Sequence, residues 1–223
     1  MRATLRHRQP AKAGCVGAPV ARNLKSMNLK SIFLRLKIDI ESKWSQVKLN
    51  DNQYGFQTQK RTKFLKGLTD SEILEYQKEL DLEFPQILVD FLSVMNGTDR
   101  PTINIFGKSK SIPKYSTQFY SYPRDIKLVK KMIDDVYSSF DVNNEYLLRN
   151  RISRIFPIFS HRFIMIDSSH HEIISIYYED GIYWESSLEK LLENEILGVN
   201  KISFNDSINN DELSEKTSFW LSD

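Results

Sequence analysis

The sequence lacks the residues that hold disulfide-bonded and cysteine-ligated folds together. Its 223 residues include one cysteine, Cys15, which excludes an intrachain disulfide framework and a cysteine-based zinc site. No thiol remains after that position for nucleophilic catalysis. No apolar run reaches 18 residues, so the sequence predicts neither a membrane span nor a membrane partner.

Motifs that bind nucleotides or activate a serine are missing as well. Six glycines follow residue 26, and none is spaced as GxGxxG or as a P-loop. There is also no GxSxG elbow. With 31 basic and 29 acidic residues the net charge is +2, which argues against a dedicated nucleic-acid-binding protein. We therefore predict no cofactor and no direct contact with nucleic acid.

Alanine is absent from Met27 onward, although residues 1–26 contain five. Those first 26 residues also carry six basic residues and no acidic one, which leaves 25 basic against 29 acidic residues in the rest of the chain. The break indicates two stretches of different origin. We interpret 1–26 as a leader or an upstream start; an organellar transit peptide and a secretory signal are the alternatives. The fold prediction uses residues 27–223.

Helical signals dominate the first half of this body. Thr69 and Glu72 have the spacing of a capping box, which predicts a helix over about 70–80. Pro85 suits the first turn of a second helix, for which Asn96-Gly97 would supply a left-handed stop. Two further segments have helical spacing: 124–140, and 29–44, where a strand pattern also fits but the length favours a helix. Short strands are predicted at 103–106 and 118–122.

The second half of the body reads as sheet. Apolar segments predict strands at 156–159, 163–166, 172–178 and 182–185. A hairpin loop is expected at 179–181, and a final helix would start at Ser186 or Ser187 and end at Gly198. Helices followed by a meander of strands predict one α+β domain over 27–198. Residues 199–223 form an acidic polar tail that Phe219, Trp220 and Leu221 could anchor.

One cluster could carry metal or hydrolytic chemistry. His161, Asp167, His170, His171 and Glu172 combine imidazoles and carboxylates around a turn. However, adjacent histidines on a strand point to opposite faces, and no spaced pattern such as HExxH is present. Polar turn residues are the plainer interpretation, so we predict no catalytic residue and no metal site.

The C-terminal end is acidic. Residues 180–223 contain ten acidic residues and three lysines, and an acidic face can attract a basic partner and speed its association. A solvated helix and tail is the alternative interpretation. Trp184 is an aromatic residue that could anchor an interface or fill the core. The candidate partner-binding residues are Asp180, Trp184, Glu185, Glu189 and Glu193.

Several spaced segments resemble the SUKH superfamily, the Smi/Knr-type domain. The likeness is carried by Leu68–Ile73, Glu79–Pro85, Phe91-Leu92 and Asn96-Gly97, which are similar to the family's opening pair of helices. Later segments are similar to its strands and its final helix: Phe156–Ile158, Ile164–Asp167 and Ser187–Leu192. The resemblance covers roughly 66–197. His161-Arg162 stands where the family usually has a glycine before a strand.

The resemblance implies a central, largely antiparallel sheet flanked by helices, and a role without catalysis. Bacterial members of the family are immunity proteins that bind and neutralise polymorphic or contact-dependent toxins, often nucleases. Our leading hypothesis is therefore a cytoplasmic immunity protein whose partner is a toxin domain. A regulatory interaction module of the type found in cell-wall synthesis is the alternative, and a metal-dependent hydrolase built on His161, His170 and Glu172 is a remote one.

Overall fold

The computed structural model describes residues 20–107, 113–199 and 215–221. Residues 1–19 of the expected leader and most of the expected acidic tail lie outside these ranges. The helices are α1 (Val20–Gln46), α2 (Asp70–Leu80), α3 (Gln86–Leu92), α4 (Ile126–Ser139), α5 (Asn144–Arg149), α6 (Leu188–Leu191), continued by the π-helical segment Leu192–Leu197, and α7 (Glu215–Ser218). The strands are β1 (Phe64–Lys66), β2 (Met95–Thr98), β3 (Thr102–Asn104), β4 (Lys114–Ser116), β5 (Ile155–Phe159), β6 (Arg162–Met165), β7 (Ile173–Tyr177) and β8 (Asp180–Glu185).

The protein has an α+β fold, as the sequence predicted. Its main sheet is an antiparallel meander of four strands in the order β5-β6-β7-β8. Two smaller antiparallel sheets pair β1 with β2 and β3 with β4. Strands β5 and β6 are almost fully buried, because their side chains meet the core on both faces, and Arg162 is their one charged residue.

Helix α1 resolves the ambiguity over residues 29–44. Phe33, Leu36 and Ile40 are buried, whereas Leu34 and Ile38 are largely exposed. A strand would place Leu34, Leu36, Ile38 and Ile40 on one face, since its side chains alternate, so only the helical spacing explains this burial. The helix begins at Val20 and continues through the composition break at Met27.

The predicted capping box of α2 is present. The Thr69 hydroxyl accepts a hydrogen bond from the Glu72 backbone N–H at 3.3 Å, and the Glu72 carboxylate accepts one from the Thr69 N–H at 2.7 Å. These bonds satisfy two N–H groups that the first turn of a helix leaves unpaired. The bonds that the Glu72 carboxylate accepts from the Thr69 N–H and hydroxyl hold the pKa of Glu72 below its usual value.

The predicted role of Asn96-Gly97 is wrong. Helix α3 ends at Leu92, and both residues belong to strand β2. The Asn96 side chain bonds the backbone N–H and C=O of Tyr122, both at 2.8 Å. Gly97 has a φ of 67°, and a Cβ there would lie 2.7 Å from the Ser121 nitrogen. The pair therefore fits a strand against a neighbouring loop, where a side chain at 97 has no room.

The strand predicted at 118–122 is also absent. These residues form the irregular approach to α4, where the Asp125 carboxylate accepts hydrogen bonds from the N–H and hydroxyl of Ser121 at 2.8 and 2.9 Å. Phe119, Tyr120 and Tyr122 are buried nevertheless. Their apolar content reflects core packing, which a periodicity argument cannot distinguish from a short buried strand.

The end of the described chain returns to the core. Trp220 is fully buried, and its indole N–H donates to the Ser153 carbonyl at 2.8 Å. A Cβ at Gly181 would lie 1.7 Å from the carbonyl oxygen of Trp220, so only glycine allows strand β8 to approach this segment so closely. The last part of the region read as a tail thus contributes to the core.

Candidate partner-binding surface

Of the predicted acidic residues, the two on strand β8 have opposite environments. Asp180 begins the strand and is exposed, whereas Glu185 ends it and is buried. The Glu185 carboxylate accepts a hydrogen bond from the Asn194 side chain at 2.8 Å. Asp180 is therefore accessible to a partner, while Glu185 connects β8 to the π-helical segment.

Trp184 belongs to an internal polar cluster with Arg162 and Glu195. The Arg162 guanidinium carbon lies 3.5 Å from the centre of the indole ring, and the Glu195 carboxylate accepts the indole N–H at 2.6 Å. Arg162 forms an ion pair with Glu195 at 3.2 Å and donates to the Ser175 hydroxyl at 2.9 Å. Charge pairing and cation–π stacking together satisfy an arginine that is almost fully buried.

Glu189 lies on α6, and Glu193 lies on the π-helical segment that continues it. Both are partly buried, and Glu193 is 3.9 Å from the Arg35 guanidinium of α1. From Leu192 onward the helical hydrogen bonds span five residues, so the side chains leave the spacing of an α-helix. The structure consequently does not assemble the five predicted residues into one acidic face: Asp180 is exposed, whereas the other four are partly or fully buried.

The β7–β8 hairpin carries exposed residues that the sequence analysis did not select. Tyr177 is 65% exposed and Tyr178 is 73% exposed, and Glu179 and Asp180 follow them in the chain, both exposed. β7 ends at Tyr177 and β8 starts at Asp180, so the turn is shorter than predicted. Tyr178 lies in this turn with a φ of 58°. The sequence did contain a signal for this exposed site. Adjacent side chains on a strand point to opposite faces, so at least one of two neighbouring tyrosines must face away from the core.

A cavity of about 320 Å³ opens between this hairpin and α4. Buried Phe163, Val136 and Ile176 line it together with His161, both hairpin tyrosines and Asp135, among other residues. The Tyr177 ring is 4.7 Å from that of Tyr178 at 83° and 6.1 Å from that of His161 at 69°. Three aromatic rings therefore surround a small opening whose acidic member is Asp135.

His161 is uncharged at neutral pH in this position. Burial, with a smaller contribution from the neighbouring Arg162, lowers the pKa of His161 to about 4. Its ring lies beside Tyr177, and its Nδ1 is 3.1 Å from the Ser160 hydroxyl. His161 thus adds an aromatic wall to the cavity without adding positive charge.

The fold separates His161 from the rest of the histidine and carboxylate cluster, although His170 Nδ1 and a Glu172 carboxylate oxygen lie 3.7 Å apart. His161 precedes strand β6, whereas His170 and Glu172 lie in the loop after it. Glu172 is buried and accepts a hydrogen bond from the Ser168 hydroxyl, and Asp167 pairs with Arg154 through two 2.9 Å bonds. Within the described ranges, no group of three histidine, cysteine, aspartate or glutamate residues is placed to hold a metal ion.

A second, larger cavity of about 700 Å³ lies on the other side of α4. Glu79, Lys130 and Asp134 line it with residues of α5, and the Lys130 ammonium pairs with Glu79 at 3.3 Å. Helix α4 therefore forms a ridge between two open cavities, with Asp134 on one side and Asp135 on the other.

In the part of the chain that the structure describes, no helix combines the length and apolar character needed to cross a bilayer. Comparison of the chain with protein-family models, with curated proteins and with solved structures gave no match.

Proposed function

We propose that this chain is a non-catalytic immunity protein of the SUKH type, which binds and neutralises a cognate bacterial toxin domain in the cytoplasm. The observation that supports the proposal is the β7–β8 hairpin, where two exposed tyrosines adjoin two exposed carboxylates. Tyrosine is enriched among the residues that dominate binding energy at protein interfaces. The hairpin therefore has the composition of a protein-binding surface.

The acidic part of the hairpin favours a basic partner. Glu179 and Asp180 are both exposed, and no basic residue lies between Tyr177 and Glu185 in the sequence, so this stretch of the hairpin is acidic. Nucleases have such surfaces because they bind phosphate. In this proposal the hairpin covers the nucleic-acid-binding site of the toxin within an interface of about 1,600 Å².

Co-expression tests the proposal directly. The chain from Met27 would be produced together with the toxin domain encoded beside it, and both survival and co-purification would be measured. We expect rescue and a stable 1:1 complex. Absence of both, with each protein folded, would contradict the proposal and favour a regulatory interaction module, whose partner an unbiased pull-down would then identify.

Hairpin variants test the proposed surface. Tyr178→Ala combined with Asp180→Lys removes an aromatic contact and reverses a charge, so we expect weaker rescue, slower association and a smaller salt dependence of the association rate. Tyr54→Ala is the matched control, because Tyr54 is 80% exposed elsewhere on the protein. Equal rescue by both variants would exclude the hairpin while leaving immunity itself intact.

A further inference from the structure

We infer that the cavity between α4 and the β7–β8 hairpin receives one arginine side chain of the protein partner. The assignment of the arginine to a protein partner rests on the proposed function; the preference of the cavity for a guanidinium rests on its walls alone. Those walls are the aromatic rings of His161, Tyr177 and Tyr178, an apolar floor, and the carboxylate of Asp135.

The aromatic walls favour a cation. A guanidinium close to a tyrosine ring is attracted by the negative face of the π system. The ring planes of Tyr177 and Tyr178 meet at 83°, and those of Tyr177 and His161 meet at 69°. Rings in different planes allow a cation to contact more than one of them, as in the aromatic cages that bind cationic side chains.

The charge around the cavity is complementary to such a guest. Asp135 is its acidic member, and its present partner is Lys131 in a pair whose side chains are 62% and 68% exposed. An exposed pair of this kind contributes little free energy, so an incoming guanidinium can replace Lys131 at small cost. His161 is neutral above pH 5, because its pKa is about 4, and therefore does not repel a cation.

The size of the cavity limits the guest. At about 320 Å³ it lies at the lower end of the range for ligand sites, which is roughly 300–1,000 Å³. A single side chain suits this volume better than a nucleotide cofactor does. Arginine suits it better than lysine, because the planar guanidinium stacks on aromatic rings and forms two parallel bonds to a carboxylate.

The same protein uses this combination internally. Arg162 stacks on Trp184 at 3.5 Å while its guanidinium pairs with the Glu195 carboxylate. That cluster shows an arginine held by one aromatic ring and one carboxylate. The cavity presents a similar set of groups, Tyr177, Tyr178 and Asp135, with no arginine among its lining residues.

The experiment is a titration of the free, full-length protein followed by NMR. The probe is N-acetyl-arginine amide, whose only charge is the guanidinium, and the comparison compound is N-acetyl-citrulline amide, which has nearly the same shape without the charge. We expect saturable millimolar binding of the arginine compound with shifts at His161, Tyr177 and Tyr178. The citrulline compound should bind at least about threefold more weakly, and the lysine analogue should fall between them.

Two pairs of variants make the assignment specific. Tyr178→Ala and Asp135→Asn should each weaken binding of the arginine compound by about threefold or more. Tyr54→Ala and Asp134→Asn are the matched controls and should leave it unchanged, since Asp134 lies on the same helix but lines the other cavity. Equal binding of arginine and citrulline compounds, or loss with Asp134→Asn instead of Asp135→Asn, would overturn the inference.

The titration and the co-expression test fail independently. Binding of the arginine compound without rescue would keep the cation site and reject the toxin partner. Rescue without binding of the compound would keep immunity and reject the cavity as the arginine site. Loss of rescue in the Asp135→Asn variant, with rescue preserved in Asp134→Asn, would connect the two.

Discussion

At the scale of single residues, the surroundings of His161 change its pKa. The ring is held between Tyr177 and the apolar floor of the cavity, and burial lowers its pKa from 6.5 to about 4. Between these two pH values the unfolded chain binds a proton that the folded protein does not bind. His161 therefore contributes a decrease in the free energy of unfolding as the pH falls from 6.5 toward 4.

Replacement of His161 should remove this part of the pH dependence. We expect the free energy of unfolding of the wild type to decrease between pH 7.5 and pH 4.5 by about 1 kcal/mol more than that of His161→Asn; this figure is discounted for the partial exposure of the ring. Urea unfolding at both pH values measures it. Ser160→Ala, which removes only the hydroxyl beside Nδ1, is the control and should keep the wild-type slope. Identical slopes for wild type and His161→Asn would contradict the prediction.

At the scale of elements, polar side chains connect the π-helical segment to the main sheet. The π-helical segment supplies Glu195 to Arg162 of β6 and Asn194 to Glu185 of β8. The Arg162 and Glu195 side chains are only 8% and 20% exposed. Removal of one partner from such a pair leaves the other charge in a poorly solvated site, which costs more than the pair itself contributes.

The Arg162–Glu195 pair can be tested by a double-mutant cycle. Arg162→Met should lower the free energy of unfolding by about 3 kcal/mol, and adding Glu195→Gln should restore part of that loss because no buried charge remains. Arg35→Met is the control, since the Arg35–Glu193 pair is 65% and 37% exposed; it should cost less than about 0.5 kcal/mol. Urea denaturation of the wild type, both single variants, the double variant and Arg35→Met gives the five values. Equal effects of Arg162→Met and Arg35→Met would contradict the argument.

Local signals predicted the elements that local chemistry determines. The capping box of α2 and the Ser187 cap of α6 could be read from the sequence, because each depends on a few adjacent residues. Asn96-Gly97 could not, since its conformation depends on Tyr122 and Ser121, more than 20 positions away. Of the strands in the two-stranded sheets, β3 overlaps the strand predicted at 103–106, whereas β1, β2 and β4 were not predicted, because three or four residues with a distant partner leave little periodicity.

The candidate site was predicted less well than the fold. Asp180 was identified and is exposed on the hairpin, but Trp184 and Glu185 have partners inside the protein. The acidic face was inferred from charge along the sequence, which does not reveal which carboxylates meet a buried arginine or amide. The π-helical hydrogen bonding then alters the side-chain spacing that an α-helix would give. The exposure of Tyr177 and Tyr178 depends on the register in which β7 pairs with β8. The sequence of β7 alone does not determine that register.

At the scale of the whole molecule, residues 217–221 complete the core. The centre of the Trp220 ring lies 6.0 Å from that of Tyr137 and 5.1 Å from that of Phe140. Gly181 provides the space for the Trp220 backbone. From the sequence alone we predict a tail that its aromatic residues could anchor. Because Trp220 is buried, residues 217–221 contribute to the stability of the domain.

Trp220→Ala should therefore destabilise the protein by about 3–5 kcal/mol, the usual cost of removing a buried tryptophan. Leu221→Ala is the control, because Leu221 is only partly buried, and it should cost less than half as much. Gly181→Ala should displace the same segment, since its Cβ would clash with the Trp220 carbonyl. Urea unfolding measures the first two, and the position of tryptophan emission measures the third. Wild-type stability in Trp220→Ala would show that the segment is dispensable.

The hydrogen bonds between α1 and the π-helical segment have a consequence for biosynthesis. The Lys43 ammonium donates to the carbonyls of Ile196 and Leu197 at 2.9 and 3.0 Å, and the first of these acceptors is 153 positions further along the chain. Contacts between such distant residues form late, because closing a long loop is entropically costly. On the ribosome, the apolar face of α1 must therefore wait for the C-terminal third to emerge before this contact can form. During that interval α1 can already pack against α3, where the ring centres of Phe33 and Phe91 lie 5.6 Å apart, so only the part of α1 that meets the π-helical segment stays exposed to chaperones.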